Sequence, residues 1–171
     1  TPEKLSNATA DEMYWKIRQE LIFRHTGEHP YEISGPDSFK LLQKIFPRDI
    51  SKIKIGRCSY QFACYDDGGM ISDGLLLRLS KNKFWFAQGD GHLYNWYKAH
   101  SKDLDVKIQD PNVWISQIQG PKSLKLLNQL LDQPIKNNFN YFDWTEVSIA
   151  SEKVIISRTG FTNELGWEIY I

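Results

Sequence analysis

Ile118-Gln119-Gly120-Pro121-Lys122-Ser123-Leu124-Lys125-Leu126-Leu127 repeats Ile33-Ser34-Gly35-Pro36-Asp37-Ser38-Phe39-Lys40-Leu41-Leu42 at seven of ten positions. In both copies a short β-favouring run meets a Gly-Pro turn and continues into apolar residues at helical spacing. Each therefore reads as strand, turn and amphipathic helix. Proline suits the first turn of such a helix, where its missing N–H costs nothing. Two unrelated uses of this common device would not share identity on both sides of the turn, so the pattern is a long-period duplication. After each copy come an irregular stretch, a strand, a turn and another strand; in the second copy these are Thr145 to Ile149 and Lys153 to Ser157. The pattern predicts an α+β fold of duplicated ferredoxin-like (split βαβ) units with mostly antiparallel sheets. The first unit covers about residues 30–110 and the second about 113–171. A seam between two such units is a natural cleft for a small ligand.

The centre of the first unit is the run from Tyr60 to Leu79, YQFACYDDGGMISDGLLLRL. Asp66-Asp67-Gly68-Gly69 is turn chemistry, flanked by apolar strands, and predicts a hairpin. Asp73 falls where the second strand begins. Alone it reads as a turn residue; in a pocket it can hold a cationic reacting group or relay a proton. The counterpart stretch in the second unit is Arg158-Thr159-Gly160-Phe161-Thr162-Asn163-Glu164-Leu165-Gly166-Trp167-Glu168. A carboxylate there can accept paired N–H bonds from a planar heterocycle while an aromatic stacks on its face, although as pattern alone it reads as a solvated turn. The two turns occupy similar places in the repeats and are expected to face a common pocket.

Elsewhere, residues Thr1 to Ala10 are polar and expected to be loose. Asp11 is the expected cap of a helix carrying Met13, Ile17, Leu21 and Ile22. Arg24 to Pro30 reads as loop, Phe84 to Ala87 and Val106 to Ile108 as strands, and His92 to His100 as a helix. The chain opens on Thr1 and stops inside the alternating pattern Trp167 to Ile171, which predicts a fragment of a longer protein.

Hydrophobic residues at 41% and charged residues at 25% are globular values. A formal net charge of zero gives no electrostatic reason to expect nucleic acid or an anionic membrane. No run reaches transmembrane length or resembles a signal peptide. Cys58 and Cys64 are too few for a secreted disulfide framework and read as free thiols in a reducing cytoplasm. His25, His29, His92 and His100 lack carboxylate or cysteine partners at ligand spacing, so no metal site is expected. Gly89-Asp90-Gly91 is not a dinucleotide fingerprint, and neither a phosphate loop nor G-x-S-x-G is present. Arg48, Arg57 and Arg78 are candidates for holding an anionic tail, although arginines are ordinarily surface residues.

Four of these stretches, taken in order, resemble the folate-binding aminomethyltransferase family, which includes the glycine-cleavage T-protein and dimethylsulfoniopropionate demethylase. They are Ile33 to Phe39, Gly68 to Asp73, Ile118 to Ser123 and Thr159 to Ile169. The segments Pro47-Arg48-Asp49-Ile50-Ser51 and Ile55-Gly56-Arg57-Cys58-Ser59-Tyr60 are most similar to the demethylase branch. The resemblance implies a folate-binding T-protein-like N-terminal domain whose C-terminal barrel domain is absent from this chain. It also implies tetrahydrofolate as cofactor and a small-molecule methyl or aminomethyl donor as partner. For an aminomethyl donor a lipoyl carrier protein is a further partner.

By the same resemblance Asp73 is the acidic residue near the reacting folate nitrogen, and so the catalytic candidate. Tyr60 lines that pocket, Gln88 stands where the family has an asparagine, and Glu164 holds the pterin edge. There are departures. Ser72 replaces the first acid of the T-protein's paired aspartates, and Arg24-His25-Thr26 replaces an Asp-x-Ser stretch. These put the lipoyl-bound aminomethyl substrate in doubt and set demethylation of a methyl-sulfonium, methylamine or aryl methyl ether ahead of it. The implied function is tetrahydrofolate-dependent one-carbon transfer. The alternatives are a non-catalytic folate-binding module, as in family relatives used in iron–sulfur cluster maturation, and a purely structural domain.

Overall fold

A computed structural model of the chain describes residues 8–89, 91, 93–135 and 138–171. The expectations for residues 1–7, Asp90 and His92 lie outside these residues. The first elements are α1 (Ala10–Gln19), β1 (Ile22–His25), β2 (His29–Ser34), α2 (Ser38–Ile45), β3 (Cys58–Cys64), β4 (Met70–Ser80) and β5 (Lys83–Gln88). There follow α3 (Leu93–His100), β6 (Lys107–Gln109), β7 (Ile115–Gln119), α4 (Ser123–Leu130), β8 (Trp144–Ile149), β9 (Glu152–Ser157) and β10 (Gly166–Tyr170).

Each Gly-Pro repeat joins a strand to a helix, β2 to α2 and β7 to α4. The glycines are required there: Gly35 and Gly120 have φ of 118° and 126°. A Cβ at either would lie 2.5 Å from a carbonyl oxygen, that of Asp105 or of Glu20. Only glycine meets both demands.

The strands form two five-stranded sheets, ordered β3-β4-β5-β2-β6 and β8-β9-β10-β7-β1. Every pairing between these strands is antiparallel. The fold is α+β with antiparallel sheets, as the repeat predicted. Taken in the same direction, the two orders set β2 and β7, the repeat strands, at equivalent positions. The last place is filled by β6 in one sheet and by β1 in the other.

Strand alternation sorts the side chains into three cores. Ile33, Ala63, Leu76, Phe84 and Phe86 cover one face of the first sheet and pack under α2 and α3 with Leu41, Leu42 and Tyr97. Ile118, Ile156, Trp167 and Ile169 pack under α4 with Leu127. Between the sheets lie Cys58, Leu77, Ala87, Ile115 and Tyr170. The layers are thus helix, sheet, sheet, helix. Full burial of rings such as Phe84 and Phe86 stabilises this arrangement by about 1.5–3 kcal/mol each.

Three expectations are corrected. The first helix ends at Gln19, so it carries neither Leu21 nor Ile22, and Ile22 opens β1. The stretch from Arg24 to Pro30 is not all loop, because Ile22–His25 pairs with β7 and Pro30 lies in β2. The α1 cap is Thr9, not Asp11: Thr9 and Glu12 form a reciprocal capping box. Cys58 and Cys64 are both free thiols. Among the described residues no helix is long and apolar enough to cross a membrane, which says nothing of a β-barrel.

Candidate functional site

The hairpin β3–β4 sets Tyr60 opposite Leu75 and Phe62 opposite Asp73. Tyr60 and Asp73 are therefore diagonal neighbours on the face turned toward the second sheet. The Tyr60 hydroxyl donates to Asp73 Oδ2, and that bond pushes the phenol above its ordinary pKa.

Tyr60 and Asp73 form one wall of a cavity of about 270 Å³ between the sheets, with Leu75 and Ala87 beside them. The opposite wall is Glu168 of β10, with Thr159, Gly160 and Phe161 of the loop before it. Tyr141 and Phe142 close one side, and Glu28, in the connection that carries the chain from β1 to β2, closes another. The mouth is aromatic, with Tyr60 44%, Tyr141 55% and Phe161 80% exposed. Such rings are available to stack on a flat ligand. A wider depression of about 770 Å³, lined among others by Ile55, Leu79 and Ile155, contains none of Tyr60, Asp73, Gln88 and Glu164.

Glu168 is buried and held by three donors. Thr159 Oγ1 donates at 2.7 Å, Gln117 Nε2 at 2.8 Å and the Tyr170 hydroxyl at 3.1 Å. Burial pushes its carboxyl above the ordinary value, and these hydrogen bonds act in the opposite sense. Glu28 is partly buried, and its carboxyl is pushed up to about 7, first by burial and then by the charge of Glu168. Arg24, Thr26 and Gln117 oppose that rise.

The loop Thr159–Gly166 is shaped around the buried Gln119 amide. Its Nε2 donates to the Thr159 carbonyl at 3.3 Å, and its Oε1 accepts from Thr162 at 3.2 Å. A Cβ at Gly160 or Gly166 would lie 2.1 Å and 2.0 Å from Gln119 Oε1. On the other side, Asp143 accepts from the Arg57 guanidinium and from the Asn140 N–H at 2.6 Å. Cys58 N–H also donates to the Phe142 carbonyl at 2.8 Å. These contacts tie β3 to the segment that presents Tyr141 and Phe142.

Of the four residues the sequence placed in the site, Tyr60 and Asp73 meet in the cavity. Gln88 is buried beside it: Nε2 donates to the Gly91 carbonyl at 2.9 Å, and Oε1 has no partner among the described residues. Its neighbours Ala87 and Gly89 line the cavity, whereas Gln88 does not. Glu164 lies outside the lining and is ion-paired to Arg18 of α1. Glu28 is a carboxylate that the sequence reading did not place here, and Glu168 lies in the candidate stretch Arg158 to Glu168, of which the resemblance picked out Glu164 instead. For Glu168 a signal existed. A charged residue between Trp167 and Ile169, in a strand buried throughout, needs a polar site on the opposite face.

The family model described as the GCVT N-terminal domain matches residues 2–171. An aminomethyltransferase of Natranaerobius thermophilus is 34% identical over 152 residues, covering 86% of this chain and 41% of that protein. A trimethylamine-oxide aldolase of Ruegeria pomeroyi is 32% identical over 178 residues, covering 97% of this chain and 23% of that protein. The chain thus spans less than half the length of these relatives. The crystal structure of the glycine cleavage system aminomethyltransferase T from Bartonella henselae superposes with a TM-score of 0.83 at 20% identity. That match covers 94% of this chain and 44% of that one, and it shows a shared fold.

Proposed function

This chain belongs to the GCVT N-terminal domain family, and on that premise we propose that it is the folate-binding part of a tetrahydrofolate-dependent one-carbon transferase. The donor is a small molecule carrying a methyl or aminomethyl group. One observation carries the reading: the Tyr60–Asp73 pair and the buried Glu168 face each other across one aromatic-rimmed slot.

The residues fit a pterin. Tyr141, Phe142 and Phe161 offer ring faces, and carboxylates offer acceptors for its N–H edge. Tetrahydrofolate, when bound, supplies the amine nitrogen that accepts the one-carbon unit. Glu168, fixed by three donors, is positioned to accept N–H bonds without reorganising. Glu164, the position indicated by the family resemblance, is the competing pterin contact and would first give up Arg18. Asp73 stabilises positive charge at the reacting centre as it shifts between donor and acceptor. The Tyr60 hydroxyl fixes the orientation of that carboxylate. Gln88 Oε1 is a further acceptor behind the wall. For an aminomethyl donor, a lipoyl carrier protein is the delivering partner.

Calorimetric titration with tetrahydrofolate tests this. Saturable binding is expected, weakened about 10-fold or more by Glu168→Gln, since a hydrogen bond to a charged group contributes about 1.5–3 kcal/mol. Weakening by Glu164→Ala alone moves the pterin edge to that residue. No binding to the chain overturns the reading.

A further inference from the structure

Glu28 stands where the chain crosses from one sheet to the other, and nothing in the proposed transfer uses it. It shares a single donor group with Glu168. Gln117 Nε2 donates to Glu168 at 2.8 Å and lies 3.4 Å from Glu28 Oε2. The orientation of that amide is fixed, because its Oε1 accepts from Arg24 Nε at 3.2 Å and the NH₂ must point at the two carboxylates. Two carboxylates at one amide in a partly dry cavity do not both ionise readily.

The hydrogen bonds say which one keeps the charge. Glu168 has Thr159, Tyr170 and Gln117. Among the described residues Glu28 has only the long Gln117 contact and its neighbour Thr26, whose hydroxyl proton goes to the Ile115 carbonyl at 3.1 Å. The charged and titratable groups around Glu28, among the described residues, are Glu168 and Tyr170 from β10, Arg24 from β1, and Tyr60 and Asp73 across the cavity. Among the described residues no lysine or arginine lines the cavity.

We propose that Glu28 is the proton-exchanging residue of this cavity, holding a proton while the cavity is empty and releasing it to solvent when a positively polarised group lies against the Glu28–Glu168 pair. Two ligands have that chemistry: the N–H edge of a flat heterocycle, or the onium centre of a methyl donor. The first rests on the folate reading above and the second does not. The elevated carboxyl of Glu28 agrees with the geometry.

Calorimetry of the chain at pH 7 in phosphate and in Tris, whose ionisation enthalpies differ, counts the protons released on binding. The probes are tetrahydrofolate and the trimethylsulfonium ion. With a carboxyl at about 7, about half a proton should leave per ligand bound. Affinity should rise by up to about tenfold per pH unit as pH climbs toward 7, then level off. Glu28→Gln should release no proton and flatten that profile. Release with one probe and not the other identifies the ligand. Failure of tetrahydrofolate to bind, beside proton-linked binding of the sulfonium ion, overturns the folate reading and leaves Glu28 in place. Binding without proton release, release unchanged in Glu28→Gln, or binding of neither probe overturns the assignment to Glu28.

Discussion

Replacing Glu28 by glutamine should remove a pH dependence of folding stability worth about 2 kcal/mol. In the folded protein the carboxyl is pushed up to about 7 from an ordinary value of 4.5. Each pKa unit corresponds to about 1.4 kcal/mol, so full expression of that gap would be about 3.4 kcal/mol. Glu28 is only partly buried, and solvent screening reduces this to about 2 kcal/mol. The sign follows from proton counting. Between the two values the folded state holds the proton and the unfolded state does not, so stability falls as pH rises from about 4.5 to 7. It changes little above that range. For a chain of 171 residues, about 2 kcal/mol corresponds to roughly 4–8 °C in Tm. Thermal unfolding of both proteins from pH 5 to pH 8 is the assay. Glu168 is present in both, so subtraction leaves Glu28 and its repulsion from Glu168. The Tm of Glu28→Gln should gain on the wild type by that amount across the range. A difference that stays constant with pH refutes the reasoning.

Asp73→Asn should leave tetrahydrofolate affinity nearly unchanged while lowering one-carbon transfer by about 100-fold or more, the usual scale for a charged group at a reacting centre; equal rates would remove Asp73 from the chemistry. Gly74→Ala places a Cβ 2.1 Å from the Ala87 carbonyl oxygen and 2.9 Å from the Phe86 ring. Neither the backbone nor the buried ring can move away cheaply, so a loss of about 3 kcal/mol is expected in urea unfolding. Asp143→Ala removes the acceptor of both Arg57 and the Asn140 N–H, and should cost about 2 kcal/mol. Burial raises the Asp143 carboxyl, but Arg57 and Asn140 together hold it below its ordinary value. That stability is therefore present above the ordinary carboxylate range and is lost as pH falls below it, so wild type and Asp143→Ala should converge in acid.

How much could be foreseen differs by the kind of information each element needs. The hairpin and both Gly-Pro repeats are local, written in turn residues and alternation, and they stand where expected. The strand Ile22–His25 was not legible. Four residues containing an arginine and a histidine carry little strand signal, and their state is decided by β7. The Arg24–Gln117 contact spans 93 positions. For the cap of α1 the sequence is ambiguous, because Thr9 and Asp11 are both good caps and only the reach of Glu12 back to Thr9 separates them. In the site, the family resemblance pointed to Tyr60 and Asp73, and one hairpin register brings them together. Glu28 was not legible, because its role arises from a crossing between sheets. Glu164 and Glu168 differ by four positions, yet one faces α1 and the other the cavity.

The placing of β1 has a consequence for the order of assembly. All the strands of the sheet containing the Tyr60–Asp73 pair lie within His29 to Gln109, so it can close as soon as that stretch exists. The other sheet is split around it, with β1 before His29 and β7 to β10 after Gln109. As a growing chain emerges from its amino end, β1 waits with an open edge while its neighbour completes, and it is captured only when Ile115–Gln119 appears. On a growing chain, assembly of the two halves should thus be sequential, with the walls of the cavity meeting last. Pulse-labelled amide exchange during refolding should record protection in β2 to β6 before β1 and β7; simultaneous protection would mean that the outer pieces find each other without that template.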